Sequence, residues 1–175
     1  MSSPVVTNFM KQQGFAEEPA DACQMHFGAL YFQPRIVFPL VLLAILFQSA
    51  ALFLILGAVL AWNVAVPRLN PFERAYNRWR AARNGGLVLT PAPAPRRFAQ
   101  GMAAAMMLGA AVALRAGVPV VAWMLEALLV VAFSALLFGR FCLGAYVFHV
   151  LRGEVGFANS TLPWARRSGT PSGPA

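Results

Sequence analysis

Hydrophobic residues in this chain are gathered into long unbroken runs rather than spread at amphipathic spacing. From Ile36 to Val66 there are 31 residues without a charge. As a single helix that run would measure about 46 Å, against a hydrocarbon layer of about 30 Å. Gln48 and Ser49 interrupt it near the middle. The pattern predicts a tight hairpin of two short helices, 34–47 and 49–66, with one long tilted helix as the alternative. A second apolar block follows Arg97 and is broken by Arg115, Ala116, Gly117 and Pro119. That string is a helix stop and a turn, so it predicts spans over 98–114 and 118–138, the last continuing as helix to about 151.

Between the two blocks the pattern changes. Asn70, Pro71 and Glu73 fit an N-cap, a first-turn proline and the acid of a capping box, which predicts a helix over 71–83. Phe72, Tyr76 and Trp79 then share one face, with Arg74 and Arg78 on another. This is the pattern of a helix lying among lipid headgroups, able to dock on anionic lipid or on a partner. Residues 84–95, with two glycines and alternating prolines, read as a linker. In the third span Gly101, Ala105, Gly109 and Ala113 recur every four residues, a small-residue stripe for close packing inside the bundle or against a neighbouring subunit. Met102, Met106 and Met107 beside it read as adaptable apolar filling.

Composition agrees with a membrane chain: 59% of residues are hydrophobic and 11% charged, and a soluble domain carries about a quarter charged. The fold class expected is an all-α integral membrane protein, with four transmembrane helices as two hairpins and an interfacial amphipathic helix between them. The formal net charge is +8. Nucleic-acid binding is not expected, because the arginines follow topology. Arg68, Arg74, Arg78, Arg80, Arg83, Arg96 and Arg97 crowd the connecting segment, which is therefore expected in the cytoplasm. With four spans both termini are cytoplasmic too, and the location expected is a bacterial inner membrane. Met1 to Gly28 lacks the charged and apolar regions of a cleaved signal and is expected to be retained. The organisation is then an N-terminal cytoplasmic segment 1–30, a membrane domain 31–153 and a flexible tail 154–175.

Few residues carry chemistry. Glu126 sits about 12 Å into the fourth span, where a carboxyl is paired, protonated or part of a polar path. Its candidate partners are Arg115, Asn63 and Gln100. Cys23 and His26 lie three apart before the first span, and Cys142 and His149 seven apart near the end of the fourth. Two helical turns separate Cys142 from His149 by about 10 Å, too far for one metal ion without distortion, so no metal is expected. A Cys23–Cys142 redox pair is sterically conceivable on one side of the membrane, although the cytoplasm disfavours a standing disulfide. Ala145 one turn before His149 leaves room for a planar ring, which makes a tetrapyrrole at His149 the one cofactor option in a chain where none is otherwise expected. Triads, phosphate-cradling loops and nucleotide fingerprints are absent from the sequence.

Two strings carry a family resemblance. Pro95, Arg96, Arg97, Phe98, Ala99 and Gln100, together with Gly139, Arg140, Phe141, Cys142, Leu143 and Gly144, resemble the PRFAQ-like and FCLGC-like signatures of an uncharacterised bacterial membrane family. That family is catalogued as a domain of unknown function, and its members are short four-helix proteins. Gln33 to Asn77, including Pro67, Arg68, Leu69, Asn70, Pro71 and Phe72, fits its first hairpin, so the resemblance covers about residues 30–153. Many members carry a second cysteine in the last motif; here that position is Ala145. The function expected is a non-catalytic accessory or scaffolding subunit of a larger membrane assembly, such as a respiratory or photosynthetic complex. Its partners would be lipids and other membrane proteins, with a homo-oligomer as an option. The alternatives are a thiol- or sulfur-handling protein using Cys142 and a small proton-coupled transporter using Glu126.

Overall fold

A computed structural model describes residues 4–15, 20–80 and 92–165, and these are helical with no strand among them. The helices are α1 (Pro4–Gln12), α2 (Ala20–Leu46), α3 (Ala50–Ala65), α4 (Pro71–Arg80), α5 (Ala94–Arg115), α6 (Pro119–Leu137), α7 (Leu143–Leu151) and α8 (Val155–Ser160). A short 3-10 turn, Pro67–Leu69, joins α3 to α4.

The first apolar run is two helices. Gln48 takes a left-handed backbone (φ +46°), and Ser49 caps α3 by accepting a hydrogen bond from the Leu52 N–H. At the second turn the N–H of Gly117 reaches the Leu114 carbonyl, and that of Val118 the Ala113 carbonyl. This is a Schellman stop, for which the positive φ of Gly117 is required, and Pro119 then opens α6. Both turns lie at one end of the bundle, which is called the hairpin end below.

The fourth apolar stretch departs from the expected continuous helix. α6 stops at Leu137, Arg140 has a left-handed backbone (φ +51°), and α7 starts afresh at Leu143. The Cys142 N–H donates to the Gln12 side chain of α1, so the new helix start is satisfied from outside its own sequence. α7 then packs on α5 so closely that a Cβ on Gly144 would lie 2.6 Å from the Ala99 Cα. Two further boundaries differ from expectation. Ala94 and Pro95, assigned to the linker, are helical, because a proline is tolerated in the first turn of α5. The tail expected to be flexible folds through α8, its Thr161 N–H bonding back to Phe157 and Ala158. Linker residues 84–91 and tail residues 166–175 lie outside the described residues, as do 81–83 of the expected connecting helix.

Two apolar clusters hold the molecule. The larger joins α2, α3, α5 and α6 through Val37, Val41, Phe53, Leu60, Met107 and Phe133. The smaller, at the end opposite the hairpin turns, gathers Phe9, Met10, Leu30, Tyr31, Cys142 and Ala145. The small-residue stripe is divided between neighbours. Gly101 faces Val64 of α3, Gly109 faces Leu125 of α6, Ala113 is buried and Ala105 is exposed. A four-residue step overshoots the helical turn by about 40°, so the stripe drifts from one neighbour to the next along α5.

α5 (22 residues) and α6 (19 residues) are long and apolar enough to cross a membrane, while the apolar part of α2 (Leu30–Leu46) and α3 are shorter. Large apolar side chains cover the outside of α6, among them Val120, Val121, Trp123, Met124, Leu128 and Val131, and Phe47 at the hairpin tip is 69% exposed.

Candidate functional site

A cavity of about 100 Å³ lies between the two clusters. Each wall comes from a different part of the chain: Phe9 from α1 and Gln13 from the turn after it, Gln33 and Val37 from α2, Leu60 from α3, Arg96, Gln100 and Ala103 from α5, Phe133 and Leu136 from α6. Cys142, Leu143 and Gly144 complete it. Val37 is one turn deeper than Gln33, and Ala103 one turn deeper than Gln100, toward the hairpin end. The cavity therefore has a polar end near α1 and α7 and an apolar body inside the bundle.

The polar end is built tightly. Arg96 is 8% exposed, and its Nη2 stands 4.0 Å from Oε1 of Glu73 on α4, beyond hydrogen-bond reach. Burial pushes the Glu73 carboxyl up from its ordinary value, against the opposing pull of Arg96 and a hydrogen bond with Asn70. Gln100 donates to the Gln33 amide oxygen at 2.9 Å. Its own amide oxygen meets no partner among the described residues. Asn63, 1% exposed on the same face of α3 as Leu60, is also without a side-chain hydrogen bond among the described residues. Pro34 in the cavity wall has no N–H, so the Leu30 carbonyl lacks its helical donor. Cys142 is buried, and burial raises its thiol; hydrogen bonds from Ala145, Gln13 and Gly144 and the charge of Arg96 oppose the shift. The group facing the cavity is a neutral thiol.

The other sequence candidates lie elsewhere. Glu126 is 4% exposed near the hairpin end, and its partner is Gln48, whose Nε2 donates to both carboxylate oxygens at 3.1 and 3.3 Å. This corrects the expected partners Arg115, Asn63 and Gln100: the hairpin turn places Gln48 over α6, a long-range contact that spacing does not reveal. His149 is buried two turns past Cys142, with Nδ1 2.6 Å from Glu154 and Nε2 3.2 Å from the Gln12 carbonyl. An acceptor oxygen stands against each ring nitrogen, so tetrapyrrole ligation there would require displacing Glu154 or the Gln12 carbonyl. Phe72 and Tyr76 turn inward, Tyr76 packing on Phe32 of α2, while Arg74 and Arg78 are exposed. The side chains of Cys23, His26 and Trp79 lie outside the described residues.

The two motifs meet at this cavity, Arg96, Ala99 and Gln100 from one and Cys142, Leu143 and Gly144 from the other. Residues 29–152 match the family described as Domain of unknown function (DUF4395). The chain belongs to that family. No curated protein and no solved structure matches. The DUF4395 segment contains every lining residue of the cavity except Phe9 of α1 and Gln13 just after it. The sequence marks Arg96 as a topological charge and as part of the first family string but not as a wall of a cavity, and it does not single out Gln12, Gln13 or Gln33. Their shared signal is polarity beside apolar runs, which acquires meaning only when five helices are brought together.

Proposed function

We propose that this chain is a four-span protein of a bacterial inner membrane, with both termini cytoplasmic, that binds a small amphiphilic molecule in the cavity walled by its two motifs. The apolar stretches of α2, α3, α5 and α6 form the spans in two hairpins. The exposed arginines Arg35, Arg68, Arg74, Arg78, Arg97, Arg140 and Arg152 all lie toward the end opposite the hairpin turns, where Arg115 is the basic residue. That asymmetry supports the orientation. The observation that carries the binding reading is the juxtaposition of Arg96, the Cys142 thiol and the glutamines Gln13, Gln33 and Gln100 on a cavity whose remaining wall is apolar. A neutral, buried Cys142 favours binding over thiol exchange, and Glu126, at the other end beside Gln48, has no part in it.

Native mass spectrometry of the protein purified from its own membranes tests this reading. A small bound mass in the wild type, lost in an Ala103→Leu variant that fills the cavity and still folds, is the expected result. No adduct, together with no thermal shift from any small amphiphile, would sink it. The second reading is an accessory subunit of a larger membrane assembly, favoured by the exposed face of α6 with Trp123 and Met124. Gentle solubilisation and native-size separation tests that: stoichiometric migration with a large complex supports it, and migration alone removes it.

A further inference from the structure

We infer that the cavity takes a small organic monoanion, a short-chain carboxylate, with its head on Arg96 and its apolar tail among Val37, Leu60, Ala103 and Phe133. The inference rests on the binding reading above and names its ligand class.

Four observations support it. Arg96 is more than nine-tenths buried and lines the cavity, whereas Glu73 stands 4.0 Å from its Nη2 and outside the lining. A planar guanidinium matches a carboxylate fork and binds it through paired charge-assisted hydrogen bonds, which the loose contact with Glu73 does not supply. Glu73 is itself held less firmly in its charged form by burial, so it competes weakly for Arg96. The remaining polar lining carries no formal charge: Gln13, Gln33, Gln100 and the Cys142 thiol.

Size and charge narrow the class. The cavity, about 100 Å³ and open on one side, has room for a guest of about six non-hydrogen atoms, the size of butyrate, since an enclosed apolar cavity of roughly 150 Å³ admits benzene. A dianion would leave a second charge buried without a cation, at a cost of several kcal/mol. A wholly apolar guest would leave the buried Arg96 charge with only its loose 4.0 Å contact to Glu73.

The test is calorimetric titration of the purified full-length protein in nanodiscs with butyrate, with 1-butanol and with 1-butylamine, all at neutral pH and constant ionic strength set by chloride. Butyrate is expected to bind about tenfold more tightly than butanol, with butylamine weakest. Arg96→Gln should erase the difference between butyrate and butanol without abolishing butanol binding; the comparison of the three probes on the wild type stands even where that variant does not fold. Equal binding of butanol and butyrate overturns the anion inference while leaving the cavity reading intact. No binding by any of the three overturns the anion inference, and a native mass spectrum that also shows no bound adduct, together with no thermal shift from any small amphiphile, overturns the cavity reading as well.

Discussion

His149 and Glu154 meet at 2.6 Å, and through the other face of the same ring His149 reaches the Gln12 carbonyl at 3.2 Å. α7, the turn that follows it and the sequence-distant α1 are joined at one imidazole. Gln12 is fully buried, and its side-chain oxygen also accepts the Cys142 N–H at 2.9 Å. The wall of the cavity that α1 supplies is therefore held by the residue that caps α7, and the ring of His149 links both to the chain's C-terminal turn.

This linkage has a pH signature. The hydrogen bond from His149 holds the Glu154 carboxyl below its ordinary value near 4.5, with burial opposing and Arg152 and the His149 charge assisting. A depressed folded value means the contribution is fully present above the ordinary value and is lost as pH falls through the folded one. Comparing wild type with Glu154→Gln by thermal unfolding from neutral to strongly acidic pH checks it. The wild type should be the more stable at neutral pH, and the gap should close below the ordinary carboxylate range. A gap that widens with acid would contradict the assignment.

At the hairpin end, Gln48 and Glu126 are expected to behave asymmetrically. Glu126→Gln keeps an acceptor for the Gln48 amide and should change stability by less than about 1 kcal/mol. Gln48→Leu strands the buried Glu126 carboxyl and should cost about 1–3 kcal/mol. Melting of the single and double variants in nanodiscs measures both, and the double variant Gln48→Leu, Glu126→Leu should recover much of the loss. Equal damage from the two single variants would show that the pair is not the unit described.

Glycines rank the close contacts. Gly144→Ala would bring a Cβ within 2.6 Å of Ala99 Cα, where backbone must move, and a loss of about 1–3 kcal/mol is expected. Gly57→Ala meets Cγ and Cδ2 of Leu108 at 2.9 Å and its backbone nitrogen at 3.2 Å, a less severe approach to backbone than at Gly144, so a smaller loss is expected. Gly156→Ala on α8 meets nothing within 4 Å and should be neutral or slightly stabilising. Melting temperatures should follow that order, and a tolerated Gly144→Ala would remove the tight α5–α7 contact from the account.

Much of the helix plan was legible because its punctuation is local. Gln48 with Ser49, Arg115 through Pro119 and Asn70 through Glu73 each state a turn or a cap within a few residues. The break between α6 and α7 was hidden, because Leu143–Leu151 is as apolar as the helix before it and its N-terminus is satisfied by Gln12, 130 positions away. The aromatic face of α4 had the right periodicity, but periodicity does not say whether a face meets lipid or α2. The cavity was illegible for the same reason: its polar end is assembled from Gln13, Gln33, Arg96, Gln100 and Cys142, which share no local pattern.

The role of α1 as a wall of the cavity predicts how Cys142 reacts. In the folded protein its thiol is buried and pushed up by that burial, so the thiolate that attacks a maleimide is scarce. In a Cys23→Ser background, labelling of Cys142 by a small maleimide at neutral pH should be slow and should become fast only on unfolding. Gln12→Ala removes the acceptor for the Cys142 N–H while leaving the backbone carbonyl that His149 binds, so it loosens α1 without deleting its anchor. Labelling of that variant should rise several-fold under folding conditions, with a melting temperature lowered by the loss of one buried hydrogen bond, worth about 1 kcal/mol. Rapid labelling of the wild type would mean that α1 does not cover the thiol, and labelling unchanged by Gln12→Ala would mean that Gln12 does not hold α1 in place.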